Sequence, residues 1–180
     1  MKKILRIVLI LVIGFLIYAS TRPDTFRVER TGVIGAPAET VYGHIVNFHD
    51  WVAWSPWEKL DPNMKKTFGG TDGTVGATYA WVGNDKVGEG SMTITELTPV
   101  AKVGIKLDFL KPFKSTSATT FTLAPEGNGT KVTWTMEGKN NFMSKVMCIF
   151  MDMDKMVGGD FEKGLVSLKA VSEASAPAGS

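Results

Sequence analysis

Apolar residues follow three successive patterns along this chain, and each predicts a different kind of element. Ile4 to Ala19 is an almost unbroken hydrophobic run, interrupted by Arg6 and Gly14, which reads as one helix that is apolar all round. Between Phe26 and Glu137 apolar and polar residues alternate, as in strands that bury one face. From Met153 onward the period returns to about 3.6, with Met153, Val157, Phe161, Leu165 and Leu168 on one stripe and Asp160, Glu162, Lys163 and Lys169 mostly opposite.

Breaks at Gly, Pro and Asn divide the alternating region into predicted strands Phe26 to Ile34, Lys65 to Phe68, Val75 to Val82, Lys86 to Leu97, Lys102 to Leu110, Ser115 to Leu123 and Lys131 to Glu137. After the first of these, Ala36-Pro37 opens a helix with Val41, Ile45 and Phe48 on one face, and Asp50 to Trp57 is a second short helix or tight turn closed by Pro56. The connections are short, and Gly83-Asn84-Asp85 and Glu126-Gly127-Asn128-Gly129 supply residues that tolerate positive φ. Consecutive hairpins make an antiparallel sheet, with Val75, Ala77, Tyr79 and Trp81 on one face, as are Val103, Ile105, Leu107 and Phe109, and Val132, Trp134 and Met136. The class is α+β, and the stripe of the long C-terminal helix has one large apolar surface to cover, the concave side of the sheet.

The first pattern raises the question of a membrane. As a helix, Ile4 to Ala19 reaches roughly 24 Å, short of a hydrocarbon core of roughly 30 Å, but Lys2, Lys3 and Arg6 extend one end and Tyr18 suits the other interface. An uncleaved anchor and a secretory signal peptide both fit; for the latter the cleavage sites Ile17-Tyr18-Ala19 and Ala19-Ser20-Thr21 are imperfect. In both cases the basic end stays in the cytoplasm and everything after Arg22 lies on the extracytoplasmic side, periplasmic or extracellular, either anchored or secreted after cleavage. The chain thus divides into an anchor or signal segment (1–20), a tether (21–25), one domain (26–172) and a small-residue tail (173–180).

Charge changes the picture once this segment is set aside. The 180 residues carry 20 Lys+Arg against 18 Asp+Glu, a formal net charge of +2. Without Lys2, Lys3 and Arg6 the remaining 17 cations face 18 acids, so the domain has no electrostatic preference for nucleic acid or for an anionic surface. A single cysteine, Cys148, and two histidines exclude a disulfide scaffold and give no CxxC pair, so no metal and no cofactor is expected.

Several stretches carry a family resemblance: Trp54-Ser55-Pro56-Trp57 followed by Asp61-Pro62, the run Gly73 to Trp81, Val87 to Met92, Gly129 to Trp134, and Asp160 to Leu165. In the order strand, two short helices, six strands, long helix, they resemble the polyketide cyclase/dehydrase-like branch of the SRPBCC (START-like) superfamily from about Phe26 to Val171. The resemblance implies a helix-grip fold, in which a curved seven-stranded antiparallel sheet wraps a long C-terminal helix around a deep apolar cavity. It also implies ligands that are lipids, sterols, polyketides or other hydrophobic molecules. The fold hosts many functions, so the site must decide.

Aromatic residues dominate the candidates. Trp51, Trp54 and Trp57 recur at a spacing of three and would line one side of the short second helix, either gating the cavity or plugging the core. Tyr79, Trp81, Phe109, Phe121, Trp134, Met136, Met153, Val157 and Phe161 occupy inward positions and complete the candidate ligand-binding set. For proton transfer the candidates are His44 on the first helix, Glu89 between Gly88 and Gly90, and Tyr79; His49 and Asp108 read as structural. Gly70, Gly73 and Gly76 lack the GK[ST] of a phosphate loop. Asp152 and Asp154 lack the Gly and Glu of a calcium loop, and Asn128-Gly129-Thr130 is better explained as a turn. Phe142 to Met156, rich in Met and aromatics, reads as a lid, a membrane-facing patch or core. The expected function is membrane-tethered sequestration or transfer of a hydrophobic small molecule or lipid, the alternative being a cyclase/dehydrase-type enzyme using the same cavity.

Overall fold

The computed structural model describes residues 1–150 and 152–176. Helix α1 (Lys2–Ser20) leads through a short connection into β1 (Thr25–Ile34), and α2 (Ala38–Val46) follows. Next come a 3-10 turn at Phe48–Asp50, α3 (Trp51–Trp54) and a second 3-10 turn at Pro56–Lys59. Ser55 is extended between α3 and that turn because Pro56 disfavours the helical region for the residue before it. Strands β2 (Lys65–Gly69), β3 (Thr78–Val82), β4 (Glu89–Thr98), β5 (Lys102–Lys111), β6 (Ser115–Glu126) and β7 (Gly129–Lys139) follow, then α4 (Phe142–Phe150) and α5 (Met153–Ser175).

The sheet is antiparallel throughout, in the order β1-β7-β6-β5-β4-β3-β2. Consecutive hairpins build β2 to β7, and β1 closes against β7, so the helices between β1 and β2 span the grip. The long helix α5 runs along β1 in the same direction. Arg30 reaches Asp154 and Glu162, Leu165 packs within 3.7 Å of where a Gly32 side chain would begin, and the Gly35 N–H donates to Glu173. The α+β helix-grip expectation holds.

Three boundaries differ from the sequence reading: β4 begins at Glu89 and not Lys86, because residues 85–87 form the turn closed by Gly88 at positive φ, and two others also have local causes. Val75 is exposed and precedes β3 rather than sharing its inner face. Gly70, Gly73 and Gly76 all adopt positive φ, which curls residues 70–76 into turns and ends the extended run. The same conformations account for the GxxGxxG spacing. At the C-terminus α5 continues through Ser175, so residues 173–175 are helical, with Glu173 tying down β1; residues 177–180 of the expected tail lie outside the described residues.

Strand polarity sorts the turns. The start of β1, the end of β7, the β5–β6 and β3–β4 turns and α4 all lie at the end of the sheet where α1 joins, as the pairs Thr25↔Lys139, Ser117↔Gly138, Phe109↔Ser115 and Glu89↔Lys111 require. Away from α1 the inner face is solid: Ile34, Val41, Ile45, Val103, Ile105, Val132 and Leu168 are fully buried. Toward α1 burial falls off along β1, β5 and α5, while Trp81, Gly90, Ser117 and Met136 of the other strands stay buried. In β5 it passes from Val103 and Ile105 to half-buried Leu107 and Phe109, in β1 from Val28 to Phe26, and in α5 from Leu168 and Phe161 to Val157 and Met153.

Candidate functional site

An aromatic wall separates the two halves of the interior. Trp134 of β7 stacks on Phe161 of α5 with centroids 4.1 Å apart, lies 4.7 Å from Phe121, and takes the edges of Trp54 and Trp57 at 5.7 and 5.8 Å. Gly164 makes room for it, since a Cβ there would stand 2.7 Å from the Trp134 ring. The tryptophans expected to form one stripe are divided between α3 and the turn that follows. Trp51 and Trp54 donate their indole N–H groups to the carbonyls of Ile45 and His44, which α2 leaves without helical partners. Packing and helix capping are their observed roles. The Trp134 Nε1 is buried without a partner.

Below this wall the inner face forms cross-strand rows. One runs Tyr79–Met92–Leu107–Ser117–Gly138–Phe26, the next Trp81–Gly90–Phe109–Ser115. Their glycines are each covered by a ring: Trp81 lies across Gly90, and Phe26 lies across Gly138, which Ser117 Oγ also approaches. Trp81 is fixed by its indole N–H to the Val87 carbonyl at 3.0 Å and meets Phe109 edge-on. Half-buried Val157 of α5 packs against the core. Of the expected ligand-binding residues, Trp51, Trp54, Phe121, Trp134 and Phe161 therefore belong to the wall, with Trp57 against it. Phe109, Met153 and Val157 are half-buried in the open half, and Trp81 and Met136 are buried beside them. An open groove of about 800 Å³ runs over the outer row Arg27–Glu137–Ala118–Lys106 and is lined as well by Phe26, Ser117 and Gly138 of the neighbouring row.

The three proton-transfer candidates do not converge. The Tyr79 hydroxyl is buried and donates to Glu58 Oε1 at 2.6 Å; burial, then this bond, hold its ionisation well above the ordinary range. Glu58 is itself paired with Lys66. His44 Nδ1 stands 3.0 Å from Asp50, whose other oxygen accepts from Asn47. Glu89 pairs with Lys111 across the sheet edge at 2.8 Å. Asp108 bonds Thr116 and pairs with Lys106, and His49 stacks on Phe68 beside Asp72. Among the described residues no group of three His, Cys, Asp or Glu side chains is arranged to hold a metal ion.

Two ion pairs tie α5 to β1. Arg30 is seated against Gly158, whose Cβ would meet its guanidinium, and joins Asp154 and Glu162, two turns apart on α5. The hydrogen bond from Arg30, reinforced by its charge, holds the Asp154 carboxyl below its ordinary 3.8. An acid depressed in the folded state stabilises that state above its unfolded value and stops doing so as pH falls through the folded one. Hydrogen-exchange protection in the first turns of α5 is accordingly expected to persist at neutral pH and to fall as pH drops below 3.8. Asp154→Asn should remove most of that dependence.

The family model described as "Polyketide cyclase / dehydrase and lipid transport" matches residues 25–173. The chain belongs to this family. Its fold is shared by a protein of Chromobacterium violaceum, 21% identical over 84% of this chain and 99% of that one with a TM-score of 0.56. It is shared as well by Ara h 8.0201, 12% identical over 83% and 99% with a TM-score of 0.55. The di-domain ARO/CYC StfQ from the steffimycin biosynthetic pathway is 10% identical over 83% of this chain and 51% of that one, TM-score 0.59. These identities establish the fold alone; among curated proteins none matches. Membership in this family of hydrophobic-ligand-binding fold directs attention to the open half, where sequence reasoning missed Phe26, Ser117 and Gly138. Their inward parity with Val28, Phe121 and Trp134 was the available signal. The Glu58–Lys66 pair had none, because nothing local relates positions eight apart across a turn.

Proposed function

We propose that the protein binds a hydrophobic small molecule or lipid between the open half of the inner sheet face and the first turns of α5, while α1 spans a membrane and holds the domain on its outer side. The observation that carries this reading is the graded loss of burial toward the α1 end along β1, β5 and α5 at once. Apolar inner positions left half-covered there have water to lose to a ligand, at roughly 25 cal/mol per Å². Phe26, Leu107, Phe109, Met153 and Val157 supply the contact, and Ser117 supplies a polar atom to orient it. The residues 2–20 form a helix long and apolar enough to cross a membrane, with Lys2, Lys3 and Arg6 at its start; a cleaved signal sequence would leave the same domain free on the same side.

The test uses the full chain in nanodiscs, titrated with a hydrophobic fluorophore whose emission rises on burial, followed by mass spectrometry of extracted ligands. Ser117→Phe fills the row beside Gly138 and is expected to abolish saturable binding. Phe26→Ala uncovers it and is expected to retain or strengthen binding. Unchanged binding in Ser117→Phe, with fold intact by circular dichroism, would refute the site. A second reading, cyclase/dehydrase-type catalysis in the same space with Tyr79, His44 or Glu89 moving protons, is favoured by the family description and by the biosynthetic setting of StfQ. The same extraction separates the two, because a product lighter by one water, or a new ring at unchanged mass with shifted retention, marks turnover.

A further inference from the structure

The stretch Phe142–Phe150 is the feature that ligand binding does not absorb. Seven of its nine residues are apolar, yet helix α4 buries none of them. A nine-residue hydrophobic helix left half-exposed is unusual in water, and its neighbours indicate what covers it. α4 contacts α1 rather than the sheet: the Phe150 ring lies 5.9 Å from that of Phe15, and Lys145 reaches the Ser20 carbonyl at 3.4 Å and pairs with Asp24. Two contacts in opposite chain order make α4 antiparallel to the last turns of α1. The only charge in α4, Lys145, is therefore level with the end of the apolar run, and Phe150 sits five residues back along α1, about 7 Å deeper at 1.5 Å per residue.

A second set of residues lies at the same end of the sheet. The β5–β6 turn carries exposed Leu110 and Phe113 between Lys111 and Lys114. Every exposed phenylalanine among the described residues, Phe113, Phe142 and Phe150, is at this end. Lys86 and Lys139 add cations beside them, and Arg22, one residue past the C-cap of α1, has its Nε buried without a partner. Aromatic and aliphatic tips set among Lys and Arg match the boundary between lipid tails and phosphates.

We propose that α4 and the Leu110–Lys114 turn dock into the outer leaflet of the bilayer that α1 spans, so that the open half of the grip faces lipid and ligand passes between bilayer and protein without crossing water. This rests on α1 being a membrane span, a condition that the test isolates. α4 penetrates beside α1 to the depth of Phe150, and the cations of the turn meet lipid phosphates. The lid reading of the segment is replaced by that of a second, shallow membrane element.

Cys148, the only cysteine, lies in α4 and serves as the reporter site. The full chain is labelled there with a small environment-sensitive fluorophore and reconstituted into vesicles of phosphatidylcholine and phosphatidylglycerol. Two further chains carry the label at Leu11→Cys or at Phe113→Cys, each with Cys148→Ser. Quenching by lipids spin-labelled near the glycerol end of the acyl chain is compared with quenching by aqueous acrylamide. The expected result is lipid quenching at 148 and at 113, acrylamide protection at 148, and quenching at 11 by labels near the bilayer centre. Lipid quenching at 11 with acrylamide access at 148 or 113 overturns the docking and leaves the anchor standing. Acrylamide access at all three positions overturns both.

Discussion

Replacing Trp134 by alanine is expected to lower the unfolding free energy by about 3–5 kcal/mol, the range for removing a large buried aromatic. The ring is 1% exposed and touches Phe121, Trp54, Trp57 and Phe161, so its loss leaves four aromatic partners around one void. Collapse is hindered because these rings come from four different elements, each anchored by its own contacts. Trp134→Phe is expected to cost much less, within about 1.5 kcal/mol, because it keeps most of the volume and deletes an indole N–H that has no acceptor. Urea unfolding of the full chain in nanodiscs, followed by far-ultraviolet circular dichroism, measures both. Equal losses in the two variants would show that the wall does not depend on ring contact.

The second large effect is expected at Glu58. Its side chain is 6% exposed and accepts from Tyr79 while pairing with Lys66, so the second 3-10 turn is fastened to β2 and β3 through one carboxylate. Lys66→Met removes the cation and leaves a buried charge with a single phenol, and about 3 kcal/mol of stability is expected to go with it. The double variant Glu58→Gln with Lys66→Met should recover most of that loss, since a neutral amide keeps the shape and needs no counter-charge. A double variant no better than Lys66→Met would mean that the lysine stabilises by packing alone.

The sheet was legible in the sequence because its strands bury one face, so the period of two survives in β4, β6 and β7 nearly residue by residue. The same rule misplaced Val75: parity continues backward from Tyr79 and Ala77, while the left-handed glycines at 70, 73 and 76 bend the backbone away. The grouping of Trp51 with Trp54 was readable from spacing, but their targets, the last carbonyls of α2, depend on how two helices meet. Contacts such as Arg30 with Asp154, more than a hundred residues apart, have no local trace. The helix at Phe142–Phe150 was readable as an apolar segment; that it lies against α1 was not.

The two ends of α5 are held by different kinds of force. Its C-terminal half is embedded in the solid half of the core through Leu165 and Leu168, whereas its N-terminal half is held to β1 chiefly by Arg30 with Asp154 and Glu162. Both acidic partners are more than half exposed, so their attraction is open to screening by dissolved ions, while hydrocarbon contact is not. The helix is thus fixed by apolar packing in its C-terminal half and by ion pairs in its N-terminal half. Dissolved ions therefore act on the N-terminal half of α5 and leave its C-terminal half untouched.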